Sequence, residues 1–257
     1  MPSVVPEALF QLRGVQKRFG ELVVIDGLDL DVYRGETLSL VGNSGTGKSI
    51  LVKMLIGLLE PEQGDLWFGG HHLQGLSEQE WMPIRQQVSM VFQANALFDS
   101  LTVHDNLAYP LRQHTEMPED EISRRVTQVL SWVNLPGVEA LYPSEMSGGM
   151  RKRAGVARAI ITEPDVILYD EPTAGLDPIS TTVIDDMIKR FQRERGVTSI
   201  VITHDLRSAL SVADRVALLH EGRVHAVAPP DEILQNEDPV VYNFFEGYRM
   251  MMSLLGD

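Results

Sequence analysis

Short apolar segments rich in β-branched residues alternate with segments of helical periodicity along much of the chain. This alternation predicts an α/β sheet, because β-branched apolar runs of about 4–8 residues are typical of buried strands. The segments predicted to form strands are Thr37–Val41, Val88–Phe92, Val166–Tyr169 and Thr198–Thr203.

Two helices are predicted beside these strands. The first spans Gly47–Leu59 and is ended by Pro61. The second spans Pro178–Arg195, where Asp177 can cap the first turn, the last turn is basic and Gly196 follows. An acidic N-cap, proline in the first turn and glycine after a basic end are the signals of a complete helix.

The segment from about residue 94 to 161 lacks a convincing strand and contains two helical stretches. We interpret it as a helical subdomain inserted into the sheet domain. In one stretch the apolar residues recur with the period of a helix face. These residues are Ile122, Val126, Val129, Leu130 and Val133.

The chain closes with a helical tail, residues 239–257, after a main domain of residues 1–238. Its apolar stripe is compatible with packing on its own domain and with contact to a partner subunit. The stripe consists of Val240, Val241, Phe244, Phe245, Tyr248, Met251, Met252 and Leu255.

Composition narrows the class of protein. The hydrophobic content of 44% is that of a globular protein, and the formal charge of −14 argues against a nucleic-acid binder. There is no cysteine, so disulfides and thiolate chemistry are excluded. The chain lacks a run of about 18 apolar residues and a secretory signal. We therefore expect a soluble protein that contacts a membrane only through a partner.

A glycine-rich segment between the first predicted strand and helix matches the pattern G-x-x-x-x-G-K-[ST]. Its glycines let several N–H groups face one phosphate chain, Lys48 can neutralise the β- and γ-phosphates, and Ser49 can ligate Mg²⁺. The segment predicts a nucleoside triphosphate site, formed with Ile50 by Gly42, Asn43, Ser44, Gly45, Thr46, Gly47, Lys48 and Ser49.

Polar residues at the ends of three other predicted strands could complete this site. Asp170 is placed to hold the Mg²⁺ shell through water, and Glu171 could act as general base for the attacking water. Gln93 could reach Mg²⁺ or the water, and His204 could hydrogen-bond the γ-phosphate. Taken alone, Gln93 and His204 would each more often be an incidental surface or loop residue.

A second anion-binding feature lies about a hundred residues later, where Ser147, Gly148 and Gly149 precede a predicted helix. Taken with the other motifs, it identifies a resemblance to the ATP-binding-cassette (ABC) ATPases over nearly the whole chain. Residues 42–49 resemble the Walker A loop and residues 166–171 the Walker B strand. Gln93 resembles the Q-loop residue and Met146–Met150 the signature. Ala174–Asp177 resembles the D-loop and His204 the switch histidine.

The resemblance implies an ABC-type P-loop fold with a RecA-like core, an antiparallel β subdomain and an inserted helical subdomain. It implies ATP and Mg²⁺ as cofactors, with Phe19 stacking on adenine and Val24 contacting the base. In the family two copies pack head to tail, and each signature loop covers the ATP held by the other copy. The second anion site is then half of a shared site.

Closer resemblance indicates the Mla-type ATPases of MCE lipid transporters, through Phe98–Arg112, Met150 and the tail residues 236–239 and 245–247. It implies a peripheral subunit on the cytoplasmic face of a bacterial inner membrane. The implied partners are a permease, an MCE-domain protein and a small STAS-domain protein, and the implied cargo is phospholipid. In that family the tail reaches the opposite ATPase subunit.

The signature departs from the family pattern, with Met146 for Leu and Met150 for Gln. The second change removes a polar side chain from the ATP-facing loop. Other interpretations stay open: an ABC importer ATPase for another small cargo, a soluble ABC protein acting on DNA or ribosomes, and a P-loop kinase. Soluble ABC proteins usually carry two cassettes, a coiled-coil insertion or zinc cysteines, and this sequence shows none of these features. A kinase does not explain the signature.

Overall fold

The computed structural model describes residues 7–93 and 96–255, except for the side chains of Leu254 and Leu255. The strands are β1 (Ala8–Phe19), β2 (Leu22–Tyr33), β3 (Thr37–Val41), β4 (Gln63–Phe68), β5 (His71–His72), β6 (Val88–Val91), β7 (Val166–Asp170), β8 (Thr198–Ile202), β9 (Arg215–His220) and β10 (Arg223–Ala228). The helices are α1 (Lys48–Leu55), α2 (Glu78–Gln87), α3 (Val103–His114), α4 (Glu119–Trp132), α5 (Gly148–Ile160), α6 (Pro178–Arg195), α7 (Leu206–Val212), α8 (Pro230–Leu234) and α9 (Pro239–Leu255). A short 3-10 helix spans Pro143–Glu145.

The strands form two sheets. The first is antiparallel with four strands in the order β2-β1-β4-β5. The second has six strands in the order β10-β9-β3-β8-β7-β6, parallel except for the edge strand β10. The parallel strands bring the carboxyl ends of β3, β6, β7 and β8 to one edge, which is where such sheets bind ligands.

The buried side chains explain how the layers hold together. Along β7, Leu168 joins a cluster with α1 and the antiparallel sheet, while the adjacent Ile167 and Tyr169 join a cluster with α3 to α6. This alternation follows from the period of two along a strand. The six-stranded sheet is therefore covered on both faces, as its near-continuous apolar strands predict.

The predicted strands are confirmed, with small differences at their ends. β7 extends to Asp170, β6 ends at Val91 and β8 ends at Ile202. Gln93 therefore lies in a turn beyond β6 rather than directly at the strand end.

One predicted helix is too long. α1 ends at Leu55 instead of Leu59, because Gly57 takes a left-handed φ of 69° and packs against Trp81. A Cβ built on Gly57 would lie 2.4 Å from the Trp81 ring, so the close approach requires glycine. The chain turns here before it reaches Pro61.

The second predicted helix is confirmed at both ends. Asp177 accepts hydrogen bonds from the N–H groups of Ile179 and Ser180, and Gly196 ends α6 with a φ of 64°. An aspartate N-cap and a left-handed glycine satisfy the end groups that a helix leaves unpaired.

Between β6 and β7, the described residues 96–161 contain helices and loops but no strand. The segment holds the three α-helices α3, α4 and α5, one more than the two stretches seen in the sequence. The predicted face of α4 is buried, and its cluster is continuous with the sheet through Ile167 and Tyr169. The segment therefore packs on the sheet and shares one core with it.

The tail helix α9 packs partly on its own domain. Val241 and Phe245 are completely buried against a small cluster that includes Val41 and Leu218. The later residues of the predicted stripe behave differently: the side chains of Met251 and Met252 are exposed, and the side chain of Leu255 lies outside the described residues. Within the described ranges, no helix is long and apolar enough to cross a membrane.

Candidate active site

The phosphate loop joins the fully buried strand β3 to helix α1. Gly42 and Gly47 have φ values of 154° and 101°, which L side chains rarely adopt. A Cβ built on Gly42 would lie 2.3 Å from the carbonyl oxygen of Leu219, and one on Gly47 would lie 2.5 Å from Cδ1 of Ile25. The loop is thus pressed against neighbouring backbone and side chain, and glycine is required at both positions.

Lys48 folds over the mouth of this loop. Its Nζ donates hydrogen bonds to the carbonyl oxygens of Gly42, at 2.8 Å, and Asn43, at 2.9 Å. Burial lowers the pKa of Lys48, while the charges of Glu171 and Asp170 oppose this effect. The ammonium is thereby held beside the loop and facing the acidic end of β7.

The rest of the loop is open to solvent. Asn43, Ser44, Gly45 and Ser49 are exposed, and Ser49 stands in the first turn of α1. The hydroxyl of Thr46 donates to the carbonyl oxygen of Asn43 at 2.9 Å and stiffens the curl. Exposed N–H groups at the start of a helix are suited to bind an anion.

Asp170 ends β7 at the same edge of the sheet. Burial and the neighbouring charge of Glu171 raise the pKa of the Asp170 carboxyl, and the ammonium groups of Lys53, Lys48 and Lys152 oppose the rise. Two adjacent carboxylates in a partly buried position favour a bound cation. With the hydroxyl of Ser49, the Asp170 carboxylate offers oxygen ligands of the kind that Mg²⁺ prefers.

Glu171 follows directly, in a backbone conformation that is unusual for its residue type. Its φ is 51°, and its N–H donates to the carbonyl oxygen of Ile202 at 2.9 Å. Its Oε2 lies 2.9 Å from Nδ1 of His204. The side chain of Glu171 is 14% exposed and that of His204 is 74% exposed. A mostly buried carboxylate therefore meets an imidazole that lies at the protein surface. Strained backbone of this kind concentrates at functional sites.

Gln93 joins the same neighbourhood through its backbone. Its carbonyl oxygen and that of Glu171 both accept hydrogen bonds from Nζ of Lys152, each at 3.1 Å. The Gln93 side chain is exposed. The structure therefore brings together the Gln93 turn, the end of β7 and His204.

At the other end of the phosphate loop, the hairpin of β1 and β2 presents an uncovered aromatic ring. Phe19 is 47% exposed, and Nζ of Lys17 lies 5.6 Å from the centre of its ring. Val24 in β2 is close to the loop, since its carbonyl oxygen would lie 3.0 Å from a Cβ on Gly47. The hairpin thus places a flat apolar surface beside the phosphate loop.

The signature segment caps a different helix. Ser147 is the N-cap of α5, and its hydroxyl accepts a hydrogen bond from the N–H of Met150 at 3.2 Å. The hydroxyl proton remains available to an anion. Ser147 and Gly148 are exposed at the end of a 13-residue helix. Within residues 7–93 and 96–255, no hydrogen bond joins this segment to the phosphate loop.

The two methionines of the signature point towards the core. Met146 is 4% exposed, and the half-buried Met150 packs against the same cluster that contains α3 and α4. Met150 therefore packs beneath the signature loop, while Ser147 and Gly148 lie at its surface.

Lys152 is the residue of this site that the sequence analysis missed. It follows the signature on α5 and is 6% exposed, although lysine is rarely buried. The sequence did contain a signal, because Val156 and Ala159 follow at i+4 and i+7 and place Lys152 on the apolar face of the helix.

Comparisons with known proteins agree with this geometry. The sequence profile of the ABC transporter family matches residues 25–174, which include the phosphate loop, the signature and both acidic residues. The chain belongs to the ABC transporter family. It is an ABC-type ATPase that binds ATP and hydrolyses it.

Two relatives and one solved structure locate this ABC ATPase within the family. The intermembrane phospholipid transport system ATP-binding protein MlaF of Haemophilus influenzae is 41% identical over 93% of this chain and 90% of the relative. The mkl protein of Mycobacterium leprae, named for ribonucleotide transport, is 39% identical over 93% of this chain and 69% of the relative. A dimeric post-hydrolysis state of the ATP-binding cassette MJ0796, bound to ADP and Pi, superimposes with a TM-score of 0.79 and 29% identity. It covers 86% of this chain and 98% of that chain.

Proposed function

We propose that this ABC ATPase powers phospholipid transport between bacterial membranes, through a separate membrane permease and an MCE-domain protein. The observation that carries the proposal is the 41% identity, over 93% of the chain, to a subunit named for intermembrane phospholipid transport. The second candidate is an ABC importer ATPase for another small cargo. It is favoured by the 39% identity to a relative named for ribonucleotide transport.

In this proposal ATP lies along the phosphate loop. The exposed ring of Phe19 stacks on adenine and Val24 contacts the base. The N–H groups of residues 42–50 surround the β- and γ-phosphates, and Lys48 exchanges its contacts with Gly42 and Asn43 for phosphate oxygens.

Mg²⁺ fits the oxygen ligands at the adjoining edge of the sheet. Ser49 and the side-chain oxygen of Gln93 would hold it directly, and Asp170 would hold it through water. When bound, Mg²⁺ neutralises charge on the phosphates. The raised pKa of Asp170 supports this assignment, because a cation beside that carboxylate would relieve its repulsion with Glu171.

Glu171 is the proposed general base. Its side chain is mostly buried at the strand end, where it can accept the proton of a water that attacks the γ-phosphate. Because Nδ1 of His204 faces Glu171, the imidazole has Nε2 available to the γ-phosphate. His204 thus orients the carboxylate and contacts the substrate.

The site is completed by a second copy of the chain. The exposed Ser147 and Gly148 and the half-buried Gly149 at the start of α5 offer N–H groups, a hydroxyl and the positive end of a helix dipole. In this proposal they cover ATP held by another copy, because the Ser147 hydroxyl and the start of the helix are exposed to solvent. The solved dimer of a related cassette supports this arrangement.

This chain has a surface next to Gln93 that is suited to bind the permease. A groove of about 990 Å³ lies between α2, β6, α3, α4 and α5. Phe92, Phe98 and Tyr109 are each at least 40% exposed, and the rings of Phe98 and Tyr109 meet edge to face at 5.3 Å. Exposed aromatic residues beside a groove mark a protein interface, and an apolar helix end of the permease would bury them.

The remaining assignments follow the Mla-type resemblance. The chain acts at the cytoplasmic face of the inner membrane, and membrane contact is made by the permease. Residues 94–161 form the subdomain that meets the permease. The exposed end of α9, with Met250, Met251 and Met252, reaches the other ATPase subunit, and a small STAS-domain protein joins the complex.

The test is purification of the intact complex from its membrane, with mass spectrometry of its bound small molecules. Enriched phospholipid, together with lipid transfer that is lost in Glu171→Gln, is expected. Enriched ribonucleotide without phospholipid transfer would favour the second candidate. Recovery of DNA or ribosomes without any membrane protein would overturn the transporter assignment altogether.

A further inference from the structure

The buried ammonium of Lys152 joins three parts of the active site. It stands on α5, it is 6% exposed, and it donates 3.1 Å hydrogen bonds to the carbonyl oxygens of Gln93 and Glu171. Those carbonyls belong to two residues that have been assigned roles in hydrolysis. One side chain therefore connects the signature helix, the loop after β6 and the end of β7.

Burial of an ammonium is unfavourable unless its hydrogen bonds and charge are compensated. Burial lowers the pKa of Lys152, and the carboxylates of Glu171 and Asp170 raise it. A neutral side chain of similar length would fill the same space without the desolvation cost. The buried ammonium, with hydrogen bonds to two carbonyl oxygens of the active site, therefore indicates a role beyond packing.

The contact with Glu171 is made at a strained residue. Glu171 has a φ of 51°, and its peptide is fixed by its N–H to Ile202 and by its carbonyl to Lys152. Its side chain meets His204. A left-handed glutamate persists where the surroundings hold it, so loss of one anchor allows the carboxylate to move.

The position of Lys152 along α5 adds a second consequence. It lies five residues after Ser147, the exposed N-cap of the same helix. If that helix end shifts when the signature binds a phosphate, the ammonium would move relative to both carbonyls. The helix is a rigid element that connects an exposed anion-binding end to the catalytic carboxylate.

We propose that Lys152 is a positioning residue for ATP hydrolysis, which sets the Glu171 and Gln93 backbone and links it to the signature helix. The inference rests on the roles of Glu171 and Gln93 proposed above. Lys152 does not contact ATP in this proposal; it acts through the residues whose carbonyls it binds.

The experiment compares Lys152→Met, Lys152→Arg and the control Lys189→Met in the full-length chain. Lys189 also lies on a helix and donates one hydrogen bond, to Ser211 at 2.8 Å, away from the site. For Lys152→Met we expect kcat to fall on the order of 10- to 100-fold, since a shift of about 1 Å has effects of this size. ATP affinity should stay within about 3-fold, Lys152→Arg should recover most of kcat, and Lys189→Met should match wild type.

A double-mutant cycle separates positioning from a general loss of structure. If Lys152 acts through Glu171, Lys152→Met added to Glu171→Gln lowers single-turnover hydrolysis no further, whereas independent effects would multiply. Normal kcat in Lys152→Met, multiplying losses, or lost ATP affinity in a folded variant would each overturn the proposal. If Lys152→Met fails to fold, Lys152→Gln is subject to the same criteria. Near-normal hydrolysis by Glu171→Gln would instead contradict the role of Glu171.

Discussion

In the described part of the chain, helices α1 and α5 begin at glycine-containing loops, and these loops differ in conformation and in contacts. At the phosphate loop, Gly42 and Gly47 have positive φ values and are pressed against Leu219 and Ile25. At the signature, Gly148 has helical geometry, and a Cβ built on it would meet nothing within 4 Å. The first loop is fixed by its own fold, whereas the second is an exposed helix end. The difference is what we expect if the first loop forms its half of the site within a single chain and the second covers ATP held by another copy.

The largest effect is expected from Lys48→Ala, which removes the positive charge beside the phosphate loop. The ammonium lies over the loop at 2.8 Å from the Gly42 carbonyl oxygen, so its loss leaves phosphate charge without its counterion. We expect ATP turnover to fall on the order of 10²–10³-fold or more, with weaker ATP binding. Steady-state hydrolysis and a fluorescent ATP analogue measure both. Wild-type turnover would remove the phosphate-loop assignment.

Alanine at one glycine of each loop compares their conformational requirements directly. Gly42→Ala brings a Cβ to 2.3 Å from backbone oxygen, and we expect a loss of about 2–4 kcal/mol in the free energy of unfolding. Gly148→Ala meets open space in a helix, so stability should be unchanged or rise by less than about 1 kcal/mol. Urea unfolding without nucleotide measures both. Equal losses would contradict the contrast between the loops.

Ser147→Ala tests whether the start of α5 has a role beyond capping. Loss of the 3.2 Å bond from the Met150 N–H should lower stability by about 1 kcal/mol. ATP binding to the single chain should be unchanged, while hydrolysis should fall. Thr102→Ala is the matched control, because Thr102 caps α3 by accepting from the N–H of Asp105 at 3.1 Å. If both variants hydrolyse ATP equally well, Ser147 is a cap and nothing more.

The smallest effect is expected from Met150→Gln, which introduces the glutamine of the general ABC signature. The side chain packs against the core cluster, so the exchange should change stability by about 1 kcal/mol or less. Hydrolysis should remain close to wild type, because the exposed Ser147 and Gly148 are unchanged. A large gain in kcat would mean that the glutamine reaches ATP after all.

How far the sequence could predict this molecule depended on the range of the interactions. The phosphate loop, the strand ending at Asp170 and the caps of α6 are local patterns, and the structure contains them. The end of α1 was mispredicted because it depends on Gly57 meeting Trp81. Lys152 was missed because its partners, Gln93 and Glu171, are distant in sequence and accept through backbone carbonyl oxygens. Every residue has such an oxygen, so the residue types give no signal of this contact.

The central claim is that ATP bound at one phosphate loop is covered by the signature of another copy. The direct measurement is the oligomeric state of Glu171→Gln with saturating Mg²⁺-ATP, by sedimentation velocity, with and without the added change Ser147→Arg. We predict a dimer that requires ATP and is lost with Ser147→Arg, while ATP still binds to the resulting monomer. An ATP-bound Glu171→Gln chain that stays monomeric, or a dimer that tolerates Ser147→Arg, would contradict the claim.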